Sequence, residues 1–138
     1  MKESDVSFLL SLFYHSGGVI EGRKRLQKIV CVMKHKEGVP FSFEFKPYFY
    51  GPYSEELSDV IETLVGAKLL VEERELIWPR IVRYKYSLSD RGKELSDRIV
   101  RLLENSKAEE RIEETSGKLN ALPIADLVYL AKKLPLSD

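Results

Sequence analysis

Positively charged side chains crowd the start of one predicted helix, and they are the residues of this chain best suited to chemistry. Within the helix predicted over residues 22–36, four cations fall in the first two turns: Arg23, Lys24, Arg25 and Lys28. Positive charge at a helix start opposes the helix dipole, which favours acids there. Two interpretations stay open. These cations contact phosphate groups, or they form a face that is solvated or paired with acids of the same chain.

A predicted β-hairpin over residues 69–88 carries a second group of cations. Arginines on a β-ribbon can contact phosphates or enter a minor groove, but glutamates of the same hairpin oppose such binding. A tryptophan near the tip either contacts a protein partner, since Trp is enriched at binding hot spots, or folds back onto the hairpin. The residues concerned are the cations Arg80, Arg83 and Lys85, the acids Glu72, Glu73 and Glu75, and Trp78.

The helix predicted over residues 54–67 is acidic on its outward face, which carries Glu55, Glu56, Asp59 and Glu62. In a DNA major groove these four carboxylates would face phosphates, so this helix is not expected to read bases. An acidic face instead suits a basic protein surface. The candidate residues for protein contact are therefore Glu55, Asp59, Glu62 and Trp78.

Aromatic side chains are concentrated in residues 41–53. Such a run can form a platform on which nucleic-acid bases stack. More often it seals a core between a strand and the neighbouring helices, and that interpretation is favoured here. The residues are Phe41, Phe43, Phe45, Tyr48, Phe49, Tyr50 and Tyr53.

Patterns typical of enzymes and metal sites are not found in the sequence. His15 and His35 are far apart and have no neighbouring cysteine or acidic pattern with metal-ligand spacing. No glycine-rich phosphate loop or nucleophile elbow occurs. Ser54 is better suited to cap a helix than to act as a nucleophile. The sequence therefore predicts a protein that is not an enzyme and that holds no cofactor or metal.

Composition sets the broad class. The chain has 138 residues, of which 43% are hydrophobic, and its 22 basic and 22 acidic residues give a net charge of zero. It is long enough for one globular domain, no apolar run approaches the roughly 20 residues of a membrane span, and the start does not resemble a signal peptide. The lone Cys31 excludes an internal disulfide and is expected to be a buried thiol. These features predict a cytoplasmic protein.

Hydrophobic periodicity predicts the order of elements. Gly51 and Pro52 form the turn before the acidic helix, Ser54 and Ser89 cap helices, and Gly92 lets its helix approach a neighbour closely. A buried stripe of Leu95, Ile99 and Leu102 follows. The fold class predicted is α+β, a winged helix-turn-helix over residues 1–106 with a C-terminal helical extension over 107–138 that packs on it or mediates dimerisation. The predicted elements are helix 5–15 capped by Ser4, strand 19–20, helix 22–36, strand 41–50, helix 54–67, hairpin 69–88, a helix from 90, a solvated helix end or hinge at 104–118, and helix 122–134.

Two segments resemble a known family. Residues 22–30 read Gly-Arg-Lys-Arg-Leu-Gln-Lys-Ile-Val, and residues 49–57 read Phe-Tyr-Gly-Pro-Tyr-Ser-Glu-Glu-Leu. Together they resemble the YwgA-like family of bacteria and archaea. That family is similar to the Panacea domain of SocA-like antitoxins, which carries a Lys-Leu-Gln-Lys-Leu helix followed by a Tyr-Gly-Pro turn. The resemblance covers roughly residues 5–70. It implies a winged-helix-like fold and either transcriptional regulation or antitoxin-type protein binding, and it supplies no catalytic residue.

Two functions are consistent with these observations. The first is a DNA-binding winged-helix transcriptional regulator, a dimer that contacts double-stranded DNA through the cations of helix 22–36 and of the hairpin. The second is a protein-interaction module of antitoxin type that does not bind DNA directly. A continuous positive face would favour DNA, whereas arginines paired with acids would favour a protein partner.

Overall fold

A computed structural model describes residues 2–136 and has a mixed α+β architecture. No helix among these residues is both long and apolar enough to cross a membrane. The elements are α1 (Glu3–His15), β1 (Val19–Glu21), α2 (Arg23–His35), β2 (Lys46–Tyr48), β3 (Gly51–Tyr53), α3 (Glu55–Gly66), β4 (Leu70–Ile77), β5 (Ile81–Leu88), α4 (Asp90–Leu102), α5 (Lys107–Ala121) and α6 (Ile124–Lys132).

The larger sheet has three antiparallel strands, with β5 between β1 and β4. Its register pairs Ile20 with Tyr86 across β1 and β5, Glu72 with Tyr86 across β4 and β5, and Arg74 with Tyr84. Side chains alternate between the two faces of a strand, so Glu72, Arg74, Tyr84 and Tyr86 share one face. A second, two-stranded sheet pairs β2 with β3. The order of elements through β5 follows the sequence prediction except between α2 and α3. There the single predicted strand is replaced by the β2–β3 hairpin, and Gly51 and Pro52 lie in β3 rather than in the predicted turn, which falls at residues 49–50.

The helix starts predicted from capping serines are confirmed for α3 and α4. The hydroxyl of Ser54 accepts a hydrogen bond from the Leu57 amide at 3.2 Å, and the hydroxyl of Ser89 accepts one from the Gly92 amide at 3.0 Å. The close approach predicted at Gly92 is confirmed as well. An added Cβ there would collide with the carbonyl oxygen of Leu69 and lie 3.1 Å from its carbon.

The segment between α2 and β2 follows the predicted burial but not the predicted secondary structure. Phe41, Phe43 and Phe45 are buried in the core, whereas Ser42 and Glu44 are not. A strand over residues 41–50 is wrong, because only Lys46–Tyr48 pairs with another strand. An extended chain directs every second side chain to one side, so it can insert alternate rings into a core without a ladder.

Boundaries and burial near the two ends of the chain differ from the sequence predictions. Helix α1 begins two residues early, because the carboxylate of Asp5 accepts a hydrogen bond from the Lys2 amide at 2.9 Å and thereby supports an additional turn. Ser4 is therefore not its cap. Leu102 is 84% exposed rather than part of a buried stripe, since the chain ends α4 there and turns away.

The prediction of a solvated helix end or hinge at residues 104–118 is wrong, because the segment forms a separate helix with a buried face. Most of that segment is helix α5, which packs on α1 and buries Ile112. Its Glu109 is buried too, with the Ser11 hydroxyl donating to Oε2 at 2.6 Å and His15 Nε2 lying 2.6 Å from Oε1. A carboxylate can be buried when both oxygens are partnered, and charge count alone could not reveal this. Helix α6 packs on α2 and β3.

Candidate functional site

Arg23, the first residue of α2, fastens that helix to the larger sheet. Its guanidinium carbon lies 3.6 Å above the ring of Tyr84, and its Nε donates to the Tyr86 hydroxyl at 3.0 Å. One terminal nitrogen lies 3.7 Å from a carboxylate oxygen of Glu72. These partners come together because the β4–β5 register places them on one face of the sheet. Much of the binding capacity of Arg23 is thus used inside the protein.

Two arginines share the carboxylate of Glu72. Arg74 Nε donates to Oε1 at 3.1 Å, whereas Arg23 lies nearest to Oε2. Burial alone would raise the pKa of Glu72, but the Tyr86 hydroxyl and the two guanidinium groups outweigh burial and lower it. The carboxylate therefore stays charged at neutral pH and neutralises part of the positive charge predicted for this surface.

Arg25 also forms hydrogen bonds within the protein that stabilise the fold. Its guanidinium donates to the backbone carbonyl of Asn120 at 3.0 Å and to that of Leu122 at 2.6 Å, at the end of α5. The last carbonyls of a helix lack partners within the helix, and a cation there also complements the dipole. Arg25 thus joins α2 to the C-terminal part of the chain.

Lys28 lies inside the protein. It is therefore not one of the surface cations that the sequence suggested for DNA contact. Only 3% of the residue is exposed, and its Nζ donates to the carbonyl of Pro52 at 2.7 Å. Burial lowers the pKa of this ammonium from its ordinary 10.5 to about 8. Gly51 makes room for it, because a Cβ at that position would lie 3.0 Å from Lys28 Cε.

Of the hairpin cations, Arg80 and Arg83 are exposed and Lys85 is partly exposed, but acids stand opposite two of them. The register pairs Glu75 with Arg83 and Glu73 with Lys85 on the face of the sheet turned away from Arg23. Arg80 lies in the turn and is exposed. Since each of these strand cations faces a glutamate directly across the ladder, the hairpin does not present an uninterrupted positive surface.

The tip of the hairpin is apolar and exposed. Trp78 is 87% exposed, so the alternative in which it folds back onto the hairpin is not what the structure adopts. Leu76, Ile81 and Val82 beside it are also exposed. Grouped exposed apolar side chains on a soluble surface commonly mark a contact site.

The outward face of α3 is as acidic as predicted. Glu55, Glu56, Asp59 and Glu62 are all exposed, while the opposite face buries Leu57, Val60, Ile61 and Leu64. Within residues 2–136 none of these four carboxylates forms an ion pair. The face therefore carries free negative charge.

Sequence reasoning missed a groove between α2 and the β2–β3 hairpin, which we name the aromatic–lysine groove. It encloses about 460 Å³. Lys24 Nζ lies 4.7 Å above the ring of Tyr50, while Phe49 is 85% exposed. The aromatic run is thus divided: its first three rings are buried, and its later rings are exposed at the groove. The lining consists of Arg23, Lys24, Lys28, Tyr48, Phe49, Tyr50, Gly51, Tyr53 and Glu55.

The histidines do not assemble a catalytic or metal-binding set in the described part of the chain. Across residues 2–136, no group of three or more His, Cys, Asp or Glu side chains is placed to hold a metal ion. Glu109 stands between Ser11 and His15, whereas in a hydrolase triad the imidazole stands between serine and carboxylate. His35 packs edge-on against Phe45. Cys31 is buried, as predicted.

Comparison with known proteins gives a likeness to a bacterial protein. No family model matches the chain. The chain is similar to the uncharacterized protein YwgA of Bacillus subtilis (strain 168), with 40% identity over 89 residues, which is 64% of this chain and 52% of that protein. The chain thus spans about half the length of the curated relative that it matches. This likeness supports the resemblance to YwgA-like proteins that the sequence indicated.

Proposed function

We propose that this chain is a winged-helix-type module that acts by binding another protein, rather than by inserting α3 into duplex DNA. The order α1, β1, α2, α3, β4, β5, with β1 added beside the hairpin, supports the winged-helix assignment. The connection from α2 to α3 is longer than the turn of three or four residues in a simple helix-turn-helix, because it contains the 41–45 segment and the β2–β3 hairpin.

The observation that carries this proposal is the placement of charge. Arg23, Arg25 and Lys28 are held by Glu72, by the carbonyls that end α5 and by Pro52. The four carboxylates of α3 lie at the surface, and none of them forms an ion pair within residues 2–136. Cations directed inward and acids directed outward favour a basic protein partner over a polyanion.

The partner that we propose is a protein with a basic surface that meets the outward face of α3. Complementary charge speeds association and excludes acidic partners, but an interface also needs a desolvated centre. Trp78 at the hairpin tip is suited to such a contact. The candidate contact residues are thus Glu55, Asp59, Glu62 and Trp78.

A charge-reversal comparison tests this proposal. The triple variant Glu55→Lys, Asp59→Lys, Glu62→Lys is compared with Glu104→Lys, Glu110→Lys, Glu113→Lys, which carries the same net charge but changes exposed residues outside α3. Proteins captured by the wild-type chain in its own cells are purified, and their affinities are measured by calorimetry. We expect the α3 variant to lose at least about tenfold in affinity and the control to keep it. Equal affinity for both variants would contradict the proposal.

DNA binding is the second candidate, and the exposure of Arg80 and Arg83, together with the partly exposed Lys85, supports it. Three phosphate contacts would give a salt slope of about −2.7 for duplex DNA. A titration at several salt concentrations, with Arg83→Glu beside the wild type and with particle size measured for a homodimer, decides between the candidates. A slope near that value that is reduced in Arg83→Glu would replace the protein partner with DNA.

A further inference from the structure

Lys28 is a buried cation with little compensation. No carboxylate of residues 2–136 forms an ion pair with it. An ammonium has three N–H donors, and the Pro52 carbonyl accepts from one of them. The neighbouring Cys31 offers no negative charge at neutral pH, because burial raises the pKa of its thiol to about 11. A buried charge is normally paired, so this one calls for a physical explanation.

Two more lysines surround the same place. Lys24 is one helical turn before Lys28, and Lys132 of α6 lies with its Cγ 3.7 Å from where a Cβ on Gly51 would be. Besides burial, which is the larger cause, the charges of Lys24 and Lys132 lower the pKa of Lys28. Among the described residues neither lysine has an ion-pair partner. Cations close enough to lower the pKa of a neighbouring ammonium repel it unless an anion joins them.

Aromatic rings border this cluster. Phe49 and Tyr50 at the tip of the β2–β3 hairpin are 85% and 63% exposed, and Tyr48 and Tyr53 complete the wall. Exposed rings offer flat surfaces on which a planar group can stack. The groove volume of about 460 Å³ is in the range of small-molecule sites. The one acid in the lining, the exposed Glu55, can accept hydrogen bonds from hydroxyl or amino groups.

We propose that the aromatic–lysine groove binds a nucleoside phosphate, with the phosphate at Lys24 and Lys28, which line the groove, and the base stacked on Phe49 or Tyr50. A phosphate carries more charge than a single carboxylate and matches a group of cations better. The ligand is a free nucleotide or the terminal nucleotide of a chain. This site lies on α2 and the small hairpin and shares Glu55 with the face proposed to contact a protein partner, but its lysines and aromatic rings lie outside that face.

Calorimetry of the full chain with three probes tests the proposal: ADP, adenosine and inorganic pyrophosphate. Of these three probes, only ADP has both a charged phosphate group and a base that can stack on a ring. We expect ADP to bind at least about fivefold more tightly than either half, the lower end of what stacking on one ring provides. ADP that binds no more tightly than pyrophosphate would overturn the proposal, and so would an absence of binding by all three.

Substitutions of exposed residues test the base-stacking part and the phosphate part of the site separately, and they leave the protein core unchanged. Phe49→Ala should weaken ADP about fivefold and leave pyrophosphate unchanged, whereas Lys24→Gln should weaken both. Lys118→Gln, an exposed lysine of α5 outside the groove, is the matched control and should change neither. If Phe49→Ala and Lys24→Gln both bind ADP like the wild type, the groove is not the site.

The source of the ligand is distinguished with a short thymidine oligonucleotide, with and without a 5′-phosphate. Binding tighter than that of ADP, dependent on the 5′-phosphate, identifies a chain end. Binding weaker than that of ADP identifies a free nucleotide. Both results support the shared chemistry, while oligonucleotide binding that ignores the 5′-phosphate and Lys24→Gln contradicts it.

Discussion

Arg23 and Lys28 lie on the same helix, five positions apart, and they show two different uses of positive charge. Arg23 is half-exposed yet has an aromatic ring, a hydroxyl and a carboxylate as partners. Lys28 is almost fully buried yet has one carbonyl. A planar guanidinium with several donors suits a fixed structural role, whereas a compact ammonium left without a carboxylate suits an arriving anion. A half-exposed cation can therefore have its charge balanced by a carboxylate, whereas a buried cation can lack such a partner.

The largest effect is expected where the compensated cation is removed. Arg23→Met loses the contact with Tyr84 and the hydrogen bond to Tyr86, and it leaves Glu72 with Arg74 and the Tyr86 hydroxyl. The free energy of unfolding should fall by about 2 kcal/mol. Lys24→Met, next in the chain and exposed, should change it by less than about 0.5 kcal/mol. Urea denaturation of both variants measures the difference, and equal effects would break the comparison.

The aromatic rings that contact Arg23 and Lys24 should also differ in how much they contribute to stability. Tyr84→Leu removes the ring against which the Arg23 guanidinium lies, so stability should fall by about 1 kcal/mol. Tyr50→Leu removes the ring below Lys24 at the open groove, and its effect should stay near zero. Thermal unfolding of the two variants gives the result; a larger loss for Tyr50→Leu would reverse the assigned roles.

Removing the uncompensated cation should alter stability little at pH 7. Lys28→Met abolishes a charged hydrogen bond to Pro52 but also abolishes the cost of burying an ammonium, and the two terms, each on the order of 2–3 kcal/mol, offset each other. We expect a net change within about 1 kcal/mol by urea denaturation. A loss comparable with or greater than that of Arg23→Met would show that Lys28 is fully compensated in the fold.

The pH dependence sharpens this contrast. The pKa of Lys28 is about 8 in the folded chain, below its ordinary 10.5, so between those values the unfolded chain holds more protons and the free energy of unfolding rises with pH. Cys31 works oppositely from its ordinary 9.0 to about 11. The Lys28 charge lowers the pKa of Cys31, so removing it leaves the folded thiol protonated up to pH 9.5 in both proteins, and below that pH wild type minus Lys28→Met isolates the lysine. This difference should rise from pH 7 to 9.5, and a flat difference contradicts the assignment.

The features predicted correctly from the sequence are those that depend on residues close together in the chain. Ser54 and Ser89 cap helices through amides three residues away, and the alternation of β5 follows from its own pattern. The burial of Lys28 could not be predicted, because its place one turn after Lys24 is typical of a solvated face. It depends on a carbonyl 24 residues along the chain and on α6.

The same reason explains the other corrections. Glu109 is buried because Ser11 and His15, distant in the chain, partner both of its oxygens. The rings at residues 41–45 are buried by helices, so they needed no partner strand. The acidic face of α3 was predictable because all its members lie within two turns and point away from an unmistakable apolar stripe.

The most direct test of the unequal treatment of Arg23 and Lys28 is the ionisation of Lys28 itself. A carbon-13 NMR titration of the lysine Cε signals, with Lys28→Met to assign the resonance, measures its pKa in the free chain and with ADP. We predict a pKa of about 8 that rises when ADP binds, because an adjacent phosphate favours the charged ammonium. A pKa near 10.5 that ADP leaves unchanged would contradict the account.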